Sequence, residues 1–502
     1  MDKKNIYLGI DFGTSSIKIA AWNFKRKEPD AIKLDKGSGD NKIKNVVYYQ
    51  KDAPILWDTT AESKDDDGNK IFHIKRKFEK LDWKKYIPNI DKEKKAFEVF
   101  GDILKKIKTD IETSKANNQQ VDKAVLSVPV HFSEYQKEKL IIEAKKNGIN
   151  IDEVVLEPVA AAINYSLLKK DNGSMNIIIF DLGGGTLDLT LFNKKCVKDK
   201  VFVRILDSLN IFFGGIDIDK LIFNHIVIKN WTNVNYNSLD EQNKRRIKNI
   251  ILPLITEAKE NLFSDEDNES EDLIKSSIYN GQNIEINIRK DEIISLLEEN
   301  GIRKNIEMIL SHLLKESDLE KSDINEVKFV GGSSRIHYFQ NIVSDFFENR
   351  DIFNSDDNDD IYTAVSFGAC QHLANMLENN LSLTVKNKIP FSLGIKKPDK
   401  PDKIPEIIKK NADYEFFSPI QKLLDASDKV EKIEVYQFVK NLNNTKEVYI
   451  GDFIIDTSKY SESIFYRMGT NRRGEVVCRL FDNIDTELDN FDEEIKLSIN
   501  LN

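Results

Sequence analysis

Residues 176–192, NIIIFDLGGGTLDLTLF, carry the pattern that best indicates the fold. The apolar residues 177–180 predict a buried strand that ends at Asp181. Three glycines, residues 183–185, allow a sharp bend and a close backbone approach to a ligand. Residues 187–190 alternate apolar and polar side chains, which predicts a second strand. Taken alone, this hairpin fits two interpretations equally: an ordinary glycine turn, or a turn whose amides hold phosphates and whose carboxylates hold hydrated Mg²⁺.

Two further stretches repeat the design. An apolar run over residues 6–10 ends at Asp11, and a glycine and two hydroxyls follow at residues 13–15. A third run, residues 327–330, leads into GGSSRI at residues 331–336, where free amides at a helix start favour an anion. Three such turns in chain order favour the phosphate interpretation and suggest a duplicated fold with facing phosphate turns.

Six motifs, in this order, resemble the seventy-kilodalton heat-shock chaperones of the DnaK-like type. They are IYLGIDFGTSS (6–16), LSVPVHF (126–132), LEPVAAAINYSL (156–167), IIIFDLGGGTLDLTLF (177–192), FFGGIDID (212–219) and VKFVGGSSRI (327–336). The resemblance covers residues 5 to about 378 well and the remainder weakly. It implies an α/β actin-like ATPase with two duplicated lobes, followed by a small all-β sandwich domain.

The same resemblance suggests the domain boundaries. Residues 1–380 would form the nucleotide-binding domain, 381–388 the interdomain linker and 389–502 a substrate-binding-like β-domain. Short alternating segments separated by turn residues after residue 389 independently predict a β-sandwich. No segment resembles the family's helical lid, so we expect an uncovered peptide groove that exchanges peptide quickly.

The resemblance implies ATP or ADP as the ligand and Mg²⁺ as the metal. The residues that would act in hydrolysis are Lys75, Glu157, Asp181 and Thr186. The residues that would bind the nucleotide are Gly13, Thr14, Ser15, Gly183, Gly184, Gly185, Thr186, Gly214, Gly215, Lys259, Gly331, Gly332, Ser333 and Arg335. The residues that would hold Mg²⁺ through water are Asp11, Asp181 and Asp188. Without the resemblance, Lys75 would be interpreted as a surface lysine in a basic cluster.

Composition restricts the classes of function. The formal net charge is −10, so there is no basic surplus for nucleic acid or an anionic membrane surface. No apolar run approaches the length of a membrane span. Residues 1–4 lead straight into the first predicted strand, so we expect no signal peptide. Cys196, Cys370 and Cys478 are far apart and lack metal-ligand spacing, which is typical of free thiols in a reducing cytoplasm. We therefore expect a cytoplasmic protein.

Several residues depart from the family's pattern. Glu260 occupies a position where typical members often have an arginine that stacks on adenine, whereas Arg335 keeps the other half of that clamp. Glu153, Leu156 and Val159 replace an arginine, an asparagine and a threonine of the face that docks the linker and the J-domain. We therefore expect weak or no stimulation by a generic J-domain co-chaperone and leave open a dedicated partner. Leu156 and Val159 could instead support a more apolar linker contact.

The sequence leaves three functions open. The first is an ATP-dependent chaperone that hydrolyses ATP slowly to control binding of unfolded or extended polypeptide, with a specialised J-domain co-chaperone or nucleotide-exchange factor as partners. The second is a nucleotide-dependent scaffold or regulator whose β-domain binds one dedicated protein. The third is a small-molecule kinase, which ranks last because no insertions that would build an acceptor pocket are recognisable in the first lobe.

Overall fold

The structure is a computed structural model of the 502-residue chain. It describes residues 5–34, 42–64, 68–80, 82–114, 119–168, 172–198, 200–228, 236–263, 272–279, 282–350, 352–353, 362–378, 383–386, 389, 392–396, 404–410, 412, 417–418, 421–425, 429–441, 444–460, 463–470, 476–481 and 493–497. The ends of the predicted linker, residues 381–382 and 387–388, lie outside these ranges, as does the predicted boundary at residue 380.

The first lobe is a mixed sheet with helices packed on it. Its strands are β1 (Asn5–Phe12), β2 (Ser16–Asn23), β3 (Glu28–Ala31), β4 (Ile43–Lys44), β5 (Val46–Tyr48), β6 (Leu56–Trp57), β7 (Lys70–Phe72), β8 (Lys84–Ile87), β9 (Lys92–Lys95), β10 (Gln120–Val128) and β11 (Asn150–Leu156). Its helices are α1 (Asp58–Glu62), α2 (Ala96–Ser114), α3 (Glu134–Lys146) and α4 (Glu157–Leu168). The main sheet has the order β11-β10-β1-β2-β3, and β4 also pairs with β2.

The second lobe repeats this arrangement. Its strands are β12 (Gly173–Leu182), β13 (Leu187–Val197), β14 (Lys200–Ile211), β15 (Asp272–Tyr279), β16 (Gln282–Arg289), β17 (Glu326–Val330) and β18 (Leu383–Lys386). Its helices are α5 (Gly215–Ile222), α6 (Glu241–Leu262), α7 (Lys290–Glu299), α8 (Ile302–Glu316) and α9 (His337–Phe346). The last helix of the two-lobed unit is α10 (Ala364–Leu377). The main sheet has the order β17-β12-β13-β14-β18.

Equivalent strand pairings confirm the predicted duplication. In each lobe, the strand with an aspartate near its carboxyl end pairs antiparallel with the next strand: β1 with β2, and β12 with β13. The same strand pairs parallel with a later one, β10 or β17. Because the two hairpins are equivalent, Asp11 and Asp181 occupy matching positions in the two lobes.

Two helices pack closely between the sheets and set the distance between the lobes. A Cβ atom added to Gly368 of α10 would lie 1.7 Å from the carbonyl oxygen of Ala160 in α4. Only glycine therefore permits this approach. Helix α4 begins at Glu157, so the same crossing fixes the place from which Glu157 enters the site.

Part of the predicted linker forms a strand of the second lobe. Residues 383–386, strand β18, pair in parallel with residues 201–204 of β14. Leu383 is buried in the same hydrophobic core cluster as the first-lobe sheet. Residues 383–386 of the predicted linker therefore pack on the two-lobed unit.

The C-terminal region is a sandwich of two four-stranded sheets. Its strands are β19 (Ser392–Lys396), β20 (Glu406–Ile408), β21 (Gln421–Asp425), β22 (Val430–Asn441), β23 (Asn444–Asp456), β24 (Ser463–Thr470), β25 (Val476–Phe481) and β26 (Glu493–Lys496). The sheet orders are β20-β19-β22-β23 and β21-β24-β25-β26. Side chains of both sheets form one hydrophobic cluster between them. The predicted all-β architecture is confirmed.

One ion pair joins the sandwich to the second lobe. Lys410, just after β20, places Nζ 2.8 Å from Oδ1 of Asp207 in β14. The Asp207 side chain is fully buried, and its other carboxylate oxygen has no hydrogen-bond partner. Within the described parts of the chain, no helix is long and apolar enough to cross a membrane.

Candidate active site

The three glycine turns meet in one cleft between the lobes. The predicted site residues that line it are Asp11, Gly13, Thr14, Ser15, Lys75, Glu157, Asp181, Gly183, Gly184, Gly185, Thr186, Asp188, Gly215, Lys259, Gly331, Gly332, Ser333 and Arg335. These residues come from both lobes and from segments more than 300 positions apart along the chain, from Asp11 to Arg335. The fold therefore places site residues from distant parts of the sequence in one cleft.

Hydrogen bonds from the start of helix α5 hold the glycine turn at residues 183–186. Within the turn, the Gly183 N–H donates to the Thr186 carbonyl oxygen at 3.0 Å. The Gly215 N–H donates to the Gly183 carbonyl oxygen at 3.0 Å, and the Ile216 N–H donates to the Gly184 carbonyl oxygen at 2.9 Å. These bonds fix the backbone of the turn, so its amides are preorganised for an anion.

Gly214 is the predicted site residue that does not line the cleft. A Cβ atom added there would lie 2.6 Å from the carbonyl carbon of Gly184 and 2.6 Å from the nitrogen of Gly185. Its backbone is extended, so the restriction is steric and not conformational. Gly214 packs against the backbone of the turn at Gly184 and Gly185, so its predicted role in nucleotide binding would be indirect.

A Gly214→Ala change should therefore displace the turn. Overpacking of this kind costs about 1–3 kcal/mol, and we expect nucleotide affinity to fall by roughly ten-fold or more. Titration calorimetry with ADP measures this loss. Equal ADP affinity in Gly214→Ala and the unaltered protein would contradict this role.

The turns at residues 13–15 and 183–186 meet at one end of the cleft, which we call the phosphate end. Four carboxylates are buried there: Asp11, Glu157, Asp181 and Asp188. Burial, together with Glu157 and the neighbouring aspartates, raises the pKa of Asp181 well above its usual range. Burial likewise raises the pKa of Asp188 to about 6, although Thr186 and Lys75 oppose the shift. Burial is the largest cause of both shifts, and repulsion by neighbouring carboxylates adds to it at Asp181, so a bound cation would favour the ionised forms.

The carboxylates fit a hydrated cation better than a directly bound one. Asp188 Oδ1 is buried and has no hydrogen-bond partner. Among the described residues, however, no three acidic, histidine or cysteine side chains converge closely enough to ligate a metal directly. Mg²⁺ commonly keeps several of its waters, so Asp11, Asp181 and Asp188 are suited to bind it through them.

Lys75 and Glu157 form a buried ion pair across this end of the cleft. Lys75 Nζ donates to Glu157 Oε1, and both side chains are less than one tenth exposed. Burial raises the pKa of Glu157, and the neighbouring Lys75 opposes that rise. Lys75 is therefore a buried cleft cation and not the surface lysine that its basic neighbours suggested.

Two basic residues of the phosphate end are not evident from the sequence. Lys18 lines the cleft and donates from Nζ to Asp11 Oδ2 at 3.1 Å. Burial opposes its charge, but Asp11, Asp181 and Glu157 raise the pKa of Lys18 overall. Arg76 crosses between the lobes and donates to the Gly185 carbonyl oxygen at 2.7 Å and to Asp217. The pairing of Lys18 with Asp11 across the β1–β2 hairpin is the feature that could have identified Lys18 as a cleft residue.

The other end of the cleft holds Lys259 and Arg335, which are predicted to bind the nucleotide. Lys259 Nζ donates to Asp219 Oδ1 at 2.6 Å and to the Gly215 carbonyl oxygen at 2.9 Å. The Arg335 guanidinium carbon lies 4.7 Å from the centre of the Tyr362 ring. Tyr362 follows an acidic stretch of the sequence and was not predicted, yet it lines the cleft. Glu260 also lines the cleft, where it offers no planar cation for stacking.

Two residues at the family's docking positions around Glu157 are buried. Leu156 and Val159 are only 7% and 1% exposed, in the same core cluster as Leu383 of β18. Neither side chain is available to a partner's surface, because both pack inside the two-lobed unit. Glu153 is partly buried, and its Oε2 lies 3.3 Å from Nε2 of His372.

Comparisons with known proteins agree with this geometry. The family model described as Hsp70 protein matches residues 7–459. A "Heat shock protein 70 homolog" of Acanthamoeba polyphaga mimivirus is 29% identical over 392 residues, which are 69% of this chain and 39% of that protein. The "Chaperone protein HscA" of Buchnera aphidicola is 28% identical over 427 residues, 79% of this chain and 76% of that protein.

A third relative is the "Heat shock 70 kDa protein" of Ajellomyces capsulatus. It is 30% identical over 281 residues, 55% of this chain and 38% of that protein. The chain thus spans less than half the length of the mimivirus and Ajellomyces relatives. The match to the family model nevertheless includes both lobes and most of the sandwich. The chain belongs to the Hsp70 protein family.

Proposed function

We propose that the protein binds ATP with Mg²⁺ between its lobes and hydrolyses it slowly to ADP and phosphate. The observation that carries this proposal is the convergence of three glycine turns, four buried carboxylates and Lys75 on one cleft. Membership in the Hsp70 protein family supports it. The competing small-molecule kinase gains no support, because the first-lobe sequence has no recognisable insertions that would build an acceptor pocket.

Each group of cleft residues would have a separate role in phosphoryl transfer. The amides of residues 184–186 and the hydroxyl of Thr14 would bind and orient the phosphates. Lys75 would neutralise the charge that develops on the transferred phosphoryl group, and Glu157 would orient the attacking water. Asp11, Asp181 and Asp188 would hold hydrated Mg²⁺, which supplies further charge neutralisation when bound.

We further propose that ATP hydrolysis controls the binding of unfolded or extended polypeptide by the sandwich. A β-sandwich can hold an extended backbone by hydrogen bonds and side-chain pockets. Two contacts support coupling between the units, namely β18 in the second-lobe sheet and the Lys410–Asp207 ion pair. Three relatives carry chaperone or heat-shock names. A cytoplasmic location, a specialised J-domain protein and a nucleotide-exchange factor belong to the same proposal.

Steady-state ATP hydrolysis with and without an unfolded peptide tests this function. We expect the full chain to hydrolyse ATP slowly and the peptide to increase its rate severalfold. Glu157→Gln is the control that should remove both basal and stimulated turnover, because it removes the carboxylate that would orient water. Hydrolysis that no unfolded peptide changes, with one tight protein partner in a pull-down, would favour the scaffold or regulator instead.

A further inference from the structure

Lys18 is a cation at the phosphate end of the cleft that the proposed mechanism does not use. It lies on β2, directly opposite Asp11 of β1 in the antiparallel pairing. Its Nζ lies 3.1 Å from Asp11 Oδ2, and its side chain is 15% exposed. A Cβ atom added to Gly13 would lie 3.5 Å from the same Nζ, so the ammonium group is beside the first phosphate turn.

The strand geometry holds Lys18 in the cleft. Its neighbours Ile17 and Ile19 are each 1% exposed and pack in the first-lobe core. Side chains alternate between the two faces of a strand, so Lys18 lies on the opposite face, toward the cleft. A charge kept in this position is costly to bury, and Asp11 is the carboxylate that offsets part of that cost.

The phosphate end needs positive charge. Asp11, Glu157, Asp181 and Asp188 are buried there, and each would repel a phosphate when ionised. Lys75 is paired with Glu157, and Lys18 is paired with Asp11. Each lysine is thus paired with one buried carboxylate of the cleft, although only Lys75 was expected from the sequence.

We propose that Lys18 binds the phosphates of a nucleoside di- or triphosphate directly and supplies part of the positive charge that a divalent cation would otherwise supply. This inference rests on the proposed nucleotide binding. Its consequence is that nucleotide affinity depends less on Mg²⁺ than the four carboxylates alone would require. Lys18 and Mg²⁺ then compensate for each other, and removing both should cost more than the sum of the separate losses.

Titration calorimetry with ADP, in Mg²⁺ or in a chelator without Mg²⁺, tests this compensation in the full chain. A hydrogen bond to a charged group contributes a loss on the order of 10- to 100-fold when it is removed. We expect Mg²⁺ removal to weaken ADP binding about ten-fold more in Lys18→Met than in the unaltered protein. Lys18→Arg keeps the charge and should retain most of the tolerance to Mg²⁺ removal.

Three controls separate this role from a structural one. Lys25→Met removes an exposed lysine from the turn after β2 and should change nothing. Adenosine, which has no phosphate, should bind Lys18→Met and the unaltered protein equally. The double variant Lys18→Met/Asp11→Asn is compared with Asp11→Asn alone, because removing the Asp11 charge itself changes phosphate repulsion. Weaker Mg²⁺-free ADP binding in the double variant than in Asp11→Asn cannot result from an unpaired Asp11.

The outcomes are distinguishable. Equal dependence on Mg²⁺ in Lys18→Met and the unaltered protein would overturn the inference and leave nucleotide binding intact. Equal Mg²⁺-free ADP binding in the double variant and in Asp11→Asn, or an equal loss of adenosine binding in Lys18→Met, would make Lys18 only a counter-ion or a packing residue. An unaltered protein that binds no ADP even with Mg²⁺ would overturn the proposed function, and this inference with it.

Discussion

Lys75→Ala should retain nucleotide binding and lose most ATP hydrolysis. Lys75 is buried in the cleft and paired with Glu157, so its charge is preorganised for the phosphoryl group. Removing one preorganised stabilising group costs about 100- to 1,000-fold in turnover. Single-turnover hydrolysis of ATP measures the chemical step, and calorimetry with ADP establishes that the variant still folds and binds.

Lys80→Ala is the matched control for this change. Lys80 belongs to the same basic segment but is exposed to solvent. We expect its replacement to leave turnover within a factor of about two, because exposed surface substitutions change energies by less than about 0.5 kcal/mol. Unchanged hydrolysis in Lys75→Ala would remove Lys75 from the mechanism.

Lys410→Ala should loosen the contact between the sandwich and the second lobe. It would leave the fully buried Asp207 carboxylate without its cation. Breaking a buried ion pair by removing one partner costs about 3–5 kcal/mol. Amide hydrogen exchange in β14 of the full chain, which carries Asp207, should therefore show a free energy of opening lower by about 3 kcal/mol.

Lys409→Ala is the control for Lys410→Ala, because Lys409 is the neighbouring lysine and is exposed. Asp207→Asn/Lys410→Met removes both charges, and we expect it to recover part of the lost protection. Protection in β14 that is the same in Lys410→Ala and Lys409→Ala would show that the ion pair does not hold the two units together.

The predictable part of the site comes from local sequence. Each phosphate turn consists of an apolar strand followed by glycines, so neighbouring residues alone specify it. Ser133 illustrates the same point, because its capping pair with Gln136 is readable from their spacing and is present at the start of α3. The duplicated lobes follow from two copies of one local pattern.

The remaining part depends on contacts between distant segments. Gly214 resembles a phosphate-turn glycine, but its role depends on backbone packing against Gly184 that no local pattern records. Lys18 follows the alternating pattern of an ordinary strand residue. Its place in the cleft is evident only once the pairing of β2 with β1 is known. The burial of Val159 depends on the packing of α4 against distant segments, since residues 157–166 of this helix are all buried.

Calorimetric titration of the full chain with Mg·ATP tests the central claim most directly. The hydrolysis-deficient Lys75→Ala variant allows the nucleotide to stay intact during the measurement. The account predicts saturable binding of one ATP per chain, with weaker binding in Gly214→Ala. No binding of Mg·ATP to the folded, unaltered protein at millimolar nucleotide would contradict it.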